Sequence, residues 1–139
     1  KDKIVGVYSA NDGMAGGIIT ALKAAGISNI PVTGQDAELA GVQRIVTGEQ
    51  YMSVYKSYPQ EAAVAGEMAV ALAQGKSLDA IATSKADSAT TKGVPTVLVP
   101  VVSLTKDNIN ETVIKEGFYT LDEICAGKYK AACDKAGLK

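Results

Sequence analysis

The chain has 139 residues, of which 47% are hydrophobic and 21% charged, and its formal net charge is −1. This composition is typical of one globular domain or lobe, and the near-neutral charge gives no electrostatic case for nucleic acid or an anionic membrane as partner. Histidine is absent, which excludes a Ser-His-Asp or Cys-His catalytic site within the chain. No apolar run approaches the roughly 20 residues that a membrane helix needs.

Helical and strand-like patterns alternate along most of the chain. Hydrophobic periodicity, a Pro suited to a first helical turn and glycine stops predict helices over 14–25, 37–47 and 59–75. The small residues of the third helix suit close packing against a sheet. The intervening apolar runs predict strands over 4–10, 30–34, 51–55 and 96–102.

The second half of the chain is less regular. Residues 77–93 form a polar stretch that we expect to be a loop, and Pro100 within the fourth strand argues for an edge or crossover position. A short helix is predicted over 107–115, with helical turns near 121–126 and 129–135.

Strands that alternate with helices through short connections are typical of an α/β fold, a parallel sheet with flanking helices. The crossovers of such a sheet are right-handed, and binding residues cluster at the carboxyl ends of its strands. These ends are therefore where a site is expected.

Three polar residues follow three consecutive predicted strands: Asn11, Asp36 and Lys56. Together they offer an amide, a carboxylate and an ammonium, which both donate and accept hydrogen bonds. This set matches a small polyhydroxyl compound, whereas an Asp would repel a phosphate. The sequence therefore favours a sugar-like ligand at the carboxyl ends of the strands.

Each of these residues also has a structural interpretation. Asn11 or Asp12 can cap the first helix, Asp36 can cap the second, and Lys56 can be a solvated surface residue. Capping and ligand contact are compatible, because each side chain has more than one polar atom.

The remaining motifs indicate neither a cofactor nor a metal. The stretch "NDGMAGG" fits neither the dinucleotide-binding nor the P-loop pattern. Cys125 and Cys133, without His, are a poor zinc site. On one unbroken helix they would lie about 12 Å apart, too far for a disulfide, so that pairing needs a break such as Gly127. Two unpaired thiols are the alternative.

The same residues carry a resemblance to a known family. "ANDGMAGGIITAL", "VTGQDAELAGVQRIVTGEQYMSVYK" and "DNINETVIKEGFY" resemble segments of the periplasmic sugar-binding proteins of ABC transporters. The likeness is to the D-xylose-binding type within the type 1 periplasmic binding proteins of the ribose/galactose-binding superfamily. It extends over about residues 4–120.

The resemblance implies that Asn11, Asp36 and Lys56 contact sugar hydroxyls and that Gln35 lines the pocket beside them. It implies no catalysis and a periplasmic or extracellular location, with a membrane-anchored lipoprotein as one form. Export to an oxidising compartment favours a disulfide between Cys125 and Cys133.

The family fold has two lobes that hold the sugar between them, and the chain matches only the later part of the C-terminal lobe. Residues 1–93 correspond to the sugar-binding lobe, and residues 94–139 to a hinge-crossing strand and a tail. No signal peptide is visible, and the chain begins at Lys1 instead of Met, so we expect a processed form or a fragment. The N-terminal lobe and the ABC permease are the implied partners.

Two consequences follow from this incomplete match. The isolated chain is expected to bind sugar weakly or not at all, and uncovered apolar surface is expected to make it self-associate as a homodimer. The main alternative function is the effector-binding domain of a LacI-type transcription regulator, which shares the fold and would carry a DNA-binding segment upstream. A chemoreceptor or kinase sensor domain is a further alternative.

Overall fold

The structure, a computed structural model, describes residues 3–138. These residues divide into two compact units: the first runs to Tyr55 and resumes at Val102, and the second spans Lys56–Val101. Short 3-10 or π turns occur at Lys106–Asn108, Asn110–Ile114 and Gly127–Tyr129. In chain order the other elements are α1 (Asp12–Ala24), α2 (Leu39–Thr47), β1 (Ser53–Lys56), α3 (Tyr58–Ala73), β2 (Ser84–Ala86), β3 (Val94–Thr96), β4 (Val101–Leu104), α4 (Leu121–Ile124) and α5 (Lys130–Ala136).

The three long helices agree with the sequence pattern to within two residues at every end. Helix α1 starts two residues earlier than predicted, because Asn11 has an extended backbone and its side chain accepts a hydrogen bond from Met14 N at 2.8 Å. Helix α2 ends at Gly48, whose φ of 80° lies in the left-handed region that glycine adopts without strain.

The sheet of the first unit is less regular than predicted. The predicted strands at 4–10 and 30–34 are extended segments joined by a single parallel bridge between Val7 and Val32. A second parallel bridge joins Gln35 to Val54 in β1, and β1 pairs with β4. The parallel order of the first three segments is thus confirmed, but full strands over the first two ranges are not formed.

The hydrophobic core lies in the first unit. A small cluster forms where α1 packs on the second extended segment, through Ala15, Ile19 and Val32. The larger cluster joins one face of α2 to β1, β4 and the C-terminal segment; its buried members are Ala37, Val42, Ile45, Val46, Tyr55, Leu104, Ile109, Val113, Ile124, Cys133 and Leu138.

A disulfide between Cys125 and Cys133 holds the C-terminal segment together, with the two Cα atoms 5.9 Å apart. The helix break that this pairing needs is present, because α4 ends at Ile124 and Gly127 has a φ of 57°. The buried side chains of Ile124, Cys133 and Leu138 cover α2.

The second unit buries little. In its helix α3, Ala71 is the one buried residue, whereas Val70 and Leu72 are 56% and 61% exposed. The stretch 77–93, predicted as a loop, contains β2, which pairs antiparallel with β3 directly after it. The predicted strand at 96–102 is wrong in its bounds, because Thr96 ends β3 and β4 begins at Val101, directly after Pro100. None of the helices within 3–138 has the length and apolar character that crossing a bilayer demands.

Candidate functional site

Asn11 lies between the first extended segment and α1, as predicted. Its side-chain oxygen caps the helix by accepting a hydrogen bond from the Met14 amide at 2.8 Å. The side chain is half-buried. The cap fixes the orientation of the amide group, and a fixed amide is a better hydrogen-bonding partner for a ligand than a mobile one.

Gln35 and Asp36 lie at the end of the second extended segment, beside Asn11. The carbonyl of Gln35 accepts the Asp12 amide at 2.9 Å, and its Nε2 points to the carbonyl of Ala10 at 3.4 Å. The Asp36 amide donates to the carbonyl of Val54 at 2.9 Å. The structure therefore brings Asn11, Gln35 and Asp36 to one edge of the sheet of the first unit.

Asp36 does not cap α2. That helix begins at Leu39, and its N-cap residue is Glu38, which makes no side-chain cap. Instead Asp36 has a φ of 91° and Ala37 a φ of 49°. Two successive non-glycine residues in the left-handed region are costly, at about 1–3 kcal/mol each, and such conformations concentrate at functional sites.

Lys56 is the last residue of β1, and its side chain is half-buried. It belongs to the second compact unit, whereas the other three candidates belong to the first. The grouping of all four residues around one ligand stays a prediction from the order of the strands.

The sequence pattern did not predict the burial of Asp12. It was expected to be a possible helix cap, but its side chain is completely buried. Its Oδ1 accepts from Gln50 Nε2 at 2.7 Å, and its Oδ2 accepts from Glu38 N at 2.9 Å and from Ser53 Oγ at 2.8 Å. All three partners donate, so both carboxylate oxygens have hydrogen-bond partners inside the protein.

Arg44 completes this buried network. Its Nη2 donates to the main-chain carbonyl of Asp12 at 2.6 Å, and its Nε donates to Gln50 Oε1 at 3.0 Å. Because Oε1 of Gln50 is occupied by Arg44, its amide nitrogen is the group that faces Asp12. Gln50 also donates to the carbonyl of Met52 at 3.1 Å.

No periodicity or motif in the sequence identifies this network, since its members are dispersed over more than 40 positions. Ser53 gave a weak indication of this network. It is a small polar residue inside a strand-like run, and a buried hydroxyl needs a hydrogen-bond partner. Gly34 and Gly41 were a second signal. A Cβ atom at either position would collide with the Asp12 carboxylate.

Tyr119 is a further ionisable group close to this region. Burial is the largest cause that raises the pKa of its hydroxyl above the ordinary value of 10.0, and the negative charges of Glu38, Asp12 and Glu123 act in the same direction. A hydrogen bond with the Leu39 backbone opposes the shift. Tyr119 therefore stays a neutral hydroxyl at physiological pH.

A cavity of about 550 Å³ lies elsewhere in the first unit. Its walls include Ile30 and Pro31, which begin the second extended segment, and Gly48 and Tyr51, which precede β1. It thus lies toward the opposite ends of these segments from Asn11, and none of the four predicted site residues lines it. Residues 3–138 also contain no cluster of His, Cys, Asp or Glu that could hold a metal ion.

Comparison with known proteins gives a family match over residues 1–77, to the periplasmic binding protein domain. The D-xylose-binding periplasmic protein of Haemophilus influenzae is 42% identical over 125 residues, or 89% of this chain. That of Escherichia coli is 42% identical over 127 residues, or 88% of this chain. Each match covers 37% of the relative, so this chain spans just over a third of their length.

Solved structures give the same result. A carbohydrate transporter solute-binding protein from Chloroflexus aurantiacus, solved with D-glucose, has a TM-score of 0.76 and 34% identity over 85% of this chain and 35% of its own. An ABC transporter solute-binding protein from Clostridium phytofermentans, solved with β-D-glucose, has a TM-score of 0.70 and 30% identity over 82% of this chain and 35% of its own. These similarities confirm the α/β fold and the family resemblance that the sequence indicates.

Proposed function

Because this chain belongs to the periplasmic binding protein domain family, we propose that it is part of the sugar-binding component of an ABC importer. Its ligand is a monosaccharide such as D-xylose, held by Asn11, Gln35, Asp36 and Lys56. The role is binding without catalysis. The similarity to two D-xylose-binding proteins over almost nine tenths of the chain carries this proposal.

The local geometry supports the choice of residues. Asn11, Gln35 and Asp36 lie together at the carboxyl end of two parallel segments, the usual position of a ligand in an α/β sheet. The left-handed backbone at Asp36 supports a binding role, because strain of this kind is retained mainly where function requires it. Sugar hydroxyls both donate and accept, and the four side chains provide both types of group.

A binding component of this type holds its sugar between two lobes. In this proposal the chain forms part of the C-terminal lobe. A closed site with micromolar affinity corresponds to about −8 kcal/mol. Loss of several hydrogen bonds, at about 1 kcal/mol each, leaves millimolar affinity or weaker. The remaining partners are an N-terminal lobe and an ABC permease, in a periplasmic or extracellular location, with a lipoprotein anchor as one form of attachment.

Self-association of the isolated chain is part of the proposal. Val5 and Tyr8 in the first extended segment are each 85% exposed, and Leu72 in α3 is 61% exposed. Exposed apolar residues on a sheet segment and on a helix favour association with a second copy. Sedimentation velocity over a concentration series tests this, and a single monomer species at every concentration would contradict it.

Calorimetric titration with D-xylose, D-ribose, D-glucose and L-arabinose tests the ligand assignment. We expect the full-length protein to bind one or more of these sugars, and the isolated chain to bind at millimolar affinity or not at all. Asp36→Asn in the full-length protein is expected to reduce affinity at least about tenfold, because one oxygen acceptor becomes a donor. Asp122→Asn, at an exposed position in α4, is the matched control.

The outcomes separate the parts of the proposal. Binding by neither form would overturn the sugar assignment and favour an effector of another class. Micromolar binding by the isolated chain would overturn the two-lobe requirement. Equal effects of Asp36→Asn and Asp122→Asn would overturn the assignment of Asp36 to the site.

A further inference from the structure

We propose that Asp12 is a positioning residue for the ligand site: it contacts no sugar, but it holds residues 35–38 in the conformation that presents Gln35 and Asp36. This inference deepens the proposed function and rests on it. The basis is that hydrogen bonds from both ends of this segment converge on one buried residue, on its main-chain amide and on its carboxylate.

Residues 35–38 are bonded to Asp12 at both ends. The Asp12 amide donates to the carbonyl of Gln35 at 2.9 Å, and the Glu38 amide donates to Asp12 Oδ2 at 2.9 Å. Between them, the Ala37 amide donates to Ser53 Oγ at 3.0 Å, and Ser53 itself donates to the same Asp12 oxygen at 2.8 Å. Asp12 therefore anchors the segment at both ends, through its main-chain amide at Gln35 and through its carboxylate at Glu38.

The segment needs such support because of its backbone. Asp36 and Ala37 have φ values of 91° and 49°, and neither is a glycine. Residues with a Cβ atom keep this conformation only when the surroundings over-determine it. The bonds to Asp12 and Ser53, together with the bond from Asp36 N to Val54 O at 2.9 Å, provide that constraint.

Two glycines pack closely against the Asp12 carboxylate. A Cβ at Gly34 or Gly41 would overlap its atoms, so the end of the second extended segment and the start of α2 both pack directly against it. Gln50 is held with its nitrogen toward Asp12, since Arg44 occupies the oxygen of Gln50 at 3.0 Å.

Asp12→Asn is a sharp test because it conserves shape while it removes the charge and changes the hydrogen-bonding pattern. An Asn amide has one acceptor and one donor group, whereas all three partners of Asp12 are donors. If its nitrogen faces Gln50, the bond from Gln50 is lost; if it faces Glu38 and Ser53, the bond from Glu38 is lost and the Ser53 hydroxyl has to turn and accept. In either orientation a donor is placed against a donor inside the protein.

The experiment is a double-mutant cycle on sugar affinity in the full-length protein, with Asp12→Asn, Asp36→Asn and the double variant. If Asp12 acts through Gln35 and Asp36, we expect Asp12→Asn to lower affinity about three- to tenfold, and the loss in the double variant to be smaller than the sum of the two single effects. Additive effects in the double variant, or normal binding by Asp12→Asn, would overturn the proposal.

Two further variants separate positioning from simple loss of stability. Ser53→Ala removes the partner of Ala37 and one donor to Asp12; we expect it to weaken binding less than Asp12→Asn, and it serves in place of that variant should the latter not fold. Val113→Ala, in the core and outside the segment, is expected to lower thermal stability with unchanged affinity. Lowered affinity in Val113→Ala would attribute the Asp12→Asn effect to stability and overturn the proposal.

Nuclear magnetic resonance distinguishes failure of this inference from failure of the proposed function. The chemical shifts and couplings of Asp36 and Ala37 report their positive φ values directly. If Asp36→Asn leaves affinity unchanged, the proposed site is wrong; if it lowers affinity while Asp12→Asn keeps the positive φ values, the positioning role is wrong. We expect Asp12→Asn to shift both residues away from the left-handed region.

Discussion

Helices α2 and α3 differ sharply in what they bury. Helix α2 has nine residues, of which Gly41, Val42, Ile45 and Val46 are buried. Helix α3 has sixteen residues and buries only Ala71. Both contain enough apolar residues to pack against a sheet, so the difference lies in the surface that residues 3–138 offer each helix and not in its composition.

This contrast explains why most of the stability should reside in the first unit. Both buried clusters lie there, together with the disulfide and the Asp12 network. The second unit, Lys56–Val101, has Ser57 and Ala71 as its buried residues. The opening free energies of the two units are therefore expected to differ widely.

Matched leucine substitutions test this contrast most directly. Leu104 in β4 is fully buried, whereas Leu72 in α3 is 61% exposed. We expect Leu104→Ala to lower the free energy of unfolding by about 2–5 kcal/mol, because it leaves a cavity, and Leu72→Ala to change it by less than about 0.5 kcal/mol. Urea unfolding of both variants gives the comparison. Similar losses would mean that α3 is packed as tightly as β4.

Reduction of the disulfide is expected to have the next largest effect. Cys125 and Cys133 are separated by 8 positions, and closure of so short a loop stabilises the chain by about 2–3 kcal/mol. Replacing both residues by Ala should lower the urea midpoint of the first unit, as should reduction of the unmodified chain. A midpoint that is the same with and without reductant would contradict this prediction.

A glycine in α3 offers a way to strengthen the weaker unit alone. Gly66 lies within the helix, and a Cβ built there meets no atom within 4 Å. We expect Gly66→Ala to stabilise α3 by about 0.5–1 kcal/mol, because alanine loses less backbone entropy in a helix. Amide exchange should slow in α3 and stay unchanged in α2. Faster exchange in α3 would indicate that a neighbour occupies the space.

The smallest predicted effect is the loss of the Glu123 capping interaction at low pH. Hydrogen bonds from the Thr120 backbone and hydroxyl lower the pKa of Glu123 below its ordinary value of 4.5. A lowered folded-state pKa means that this capping interaction is fully present above pH 4.5 and is lost as pH falls through the folded value. The protection factors of amides at the start of α4, which are corrected for the pH dependence of intrinsic exchange, should therefore fall on acidification, and Glu123→Gln should reduce that dependence. An unchanged pH profile in this variant would count against the prediction.

The sequence allowed some parts of the molecule to be predicted more accurately than others. Helices α1, α2 and α3 follow from periodicity and glycine stops, and the turn at Asn11 follows from its place between a strand-like run and a helix. The prediction of regular strands at 4–10 and 30–34 was wrong, because apolar runs indicate extended backbone but do not show how far strand pairing extends.

The site shows the same limit. Asp36 follows the second extended segment, as the sequence pattern predicts, and the alternative interpretation of Asp36 as the cap of α2 is wrong, because the N-cap residue is Glu38. The burial of Asp12 depends on Gln50 and Ser53, about 40 positions away, and on the close approach of Gly34 and Gly41. Long-range hydrogen bonds of this kind have no periodic signature, and so local reasoning misses them.

The single bridge near the C-terminus has a kinetic consequence. The chain contains two cysteines, so oxidation within one molecule can produce one pairing only. Proteins with four cysteines already have three alternative pairings and need reshuffling to reach the native one. This chain has no mispaired intramolecular form to correct, and its oxidative folding should proceed without help from a disulfide isomerase.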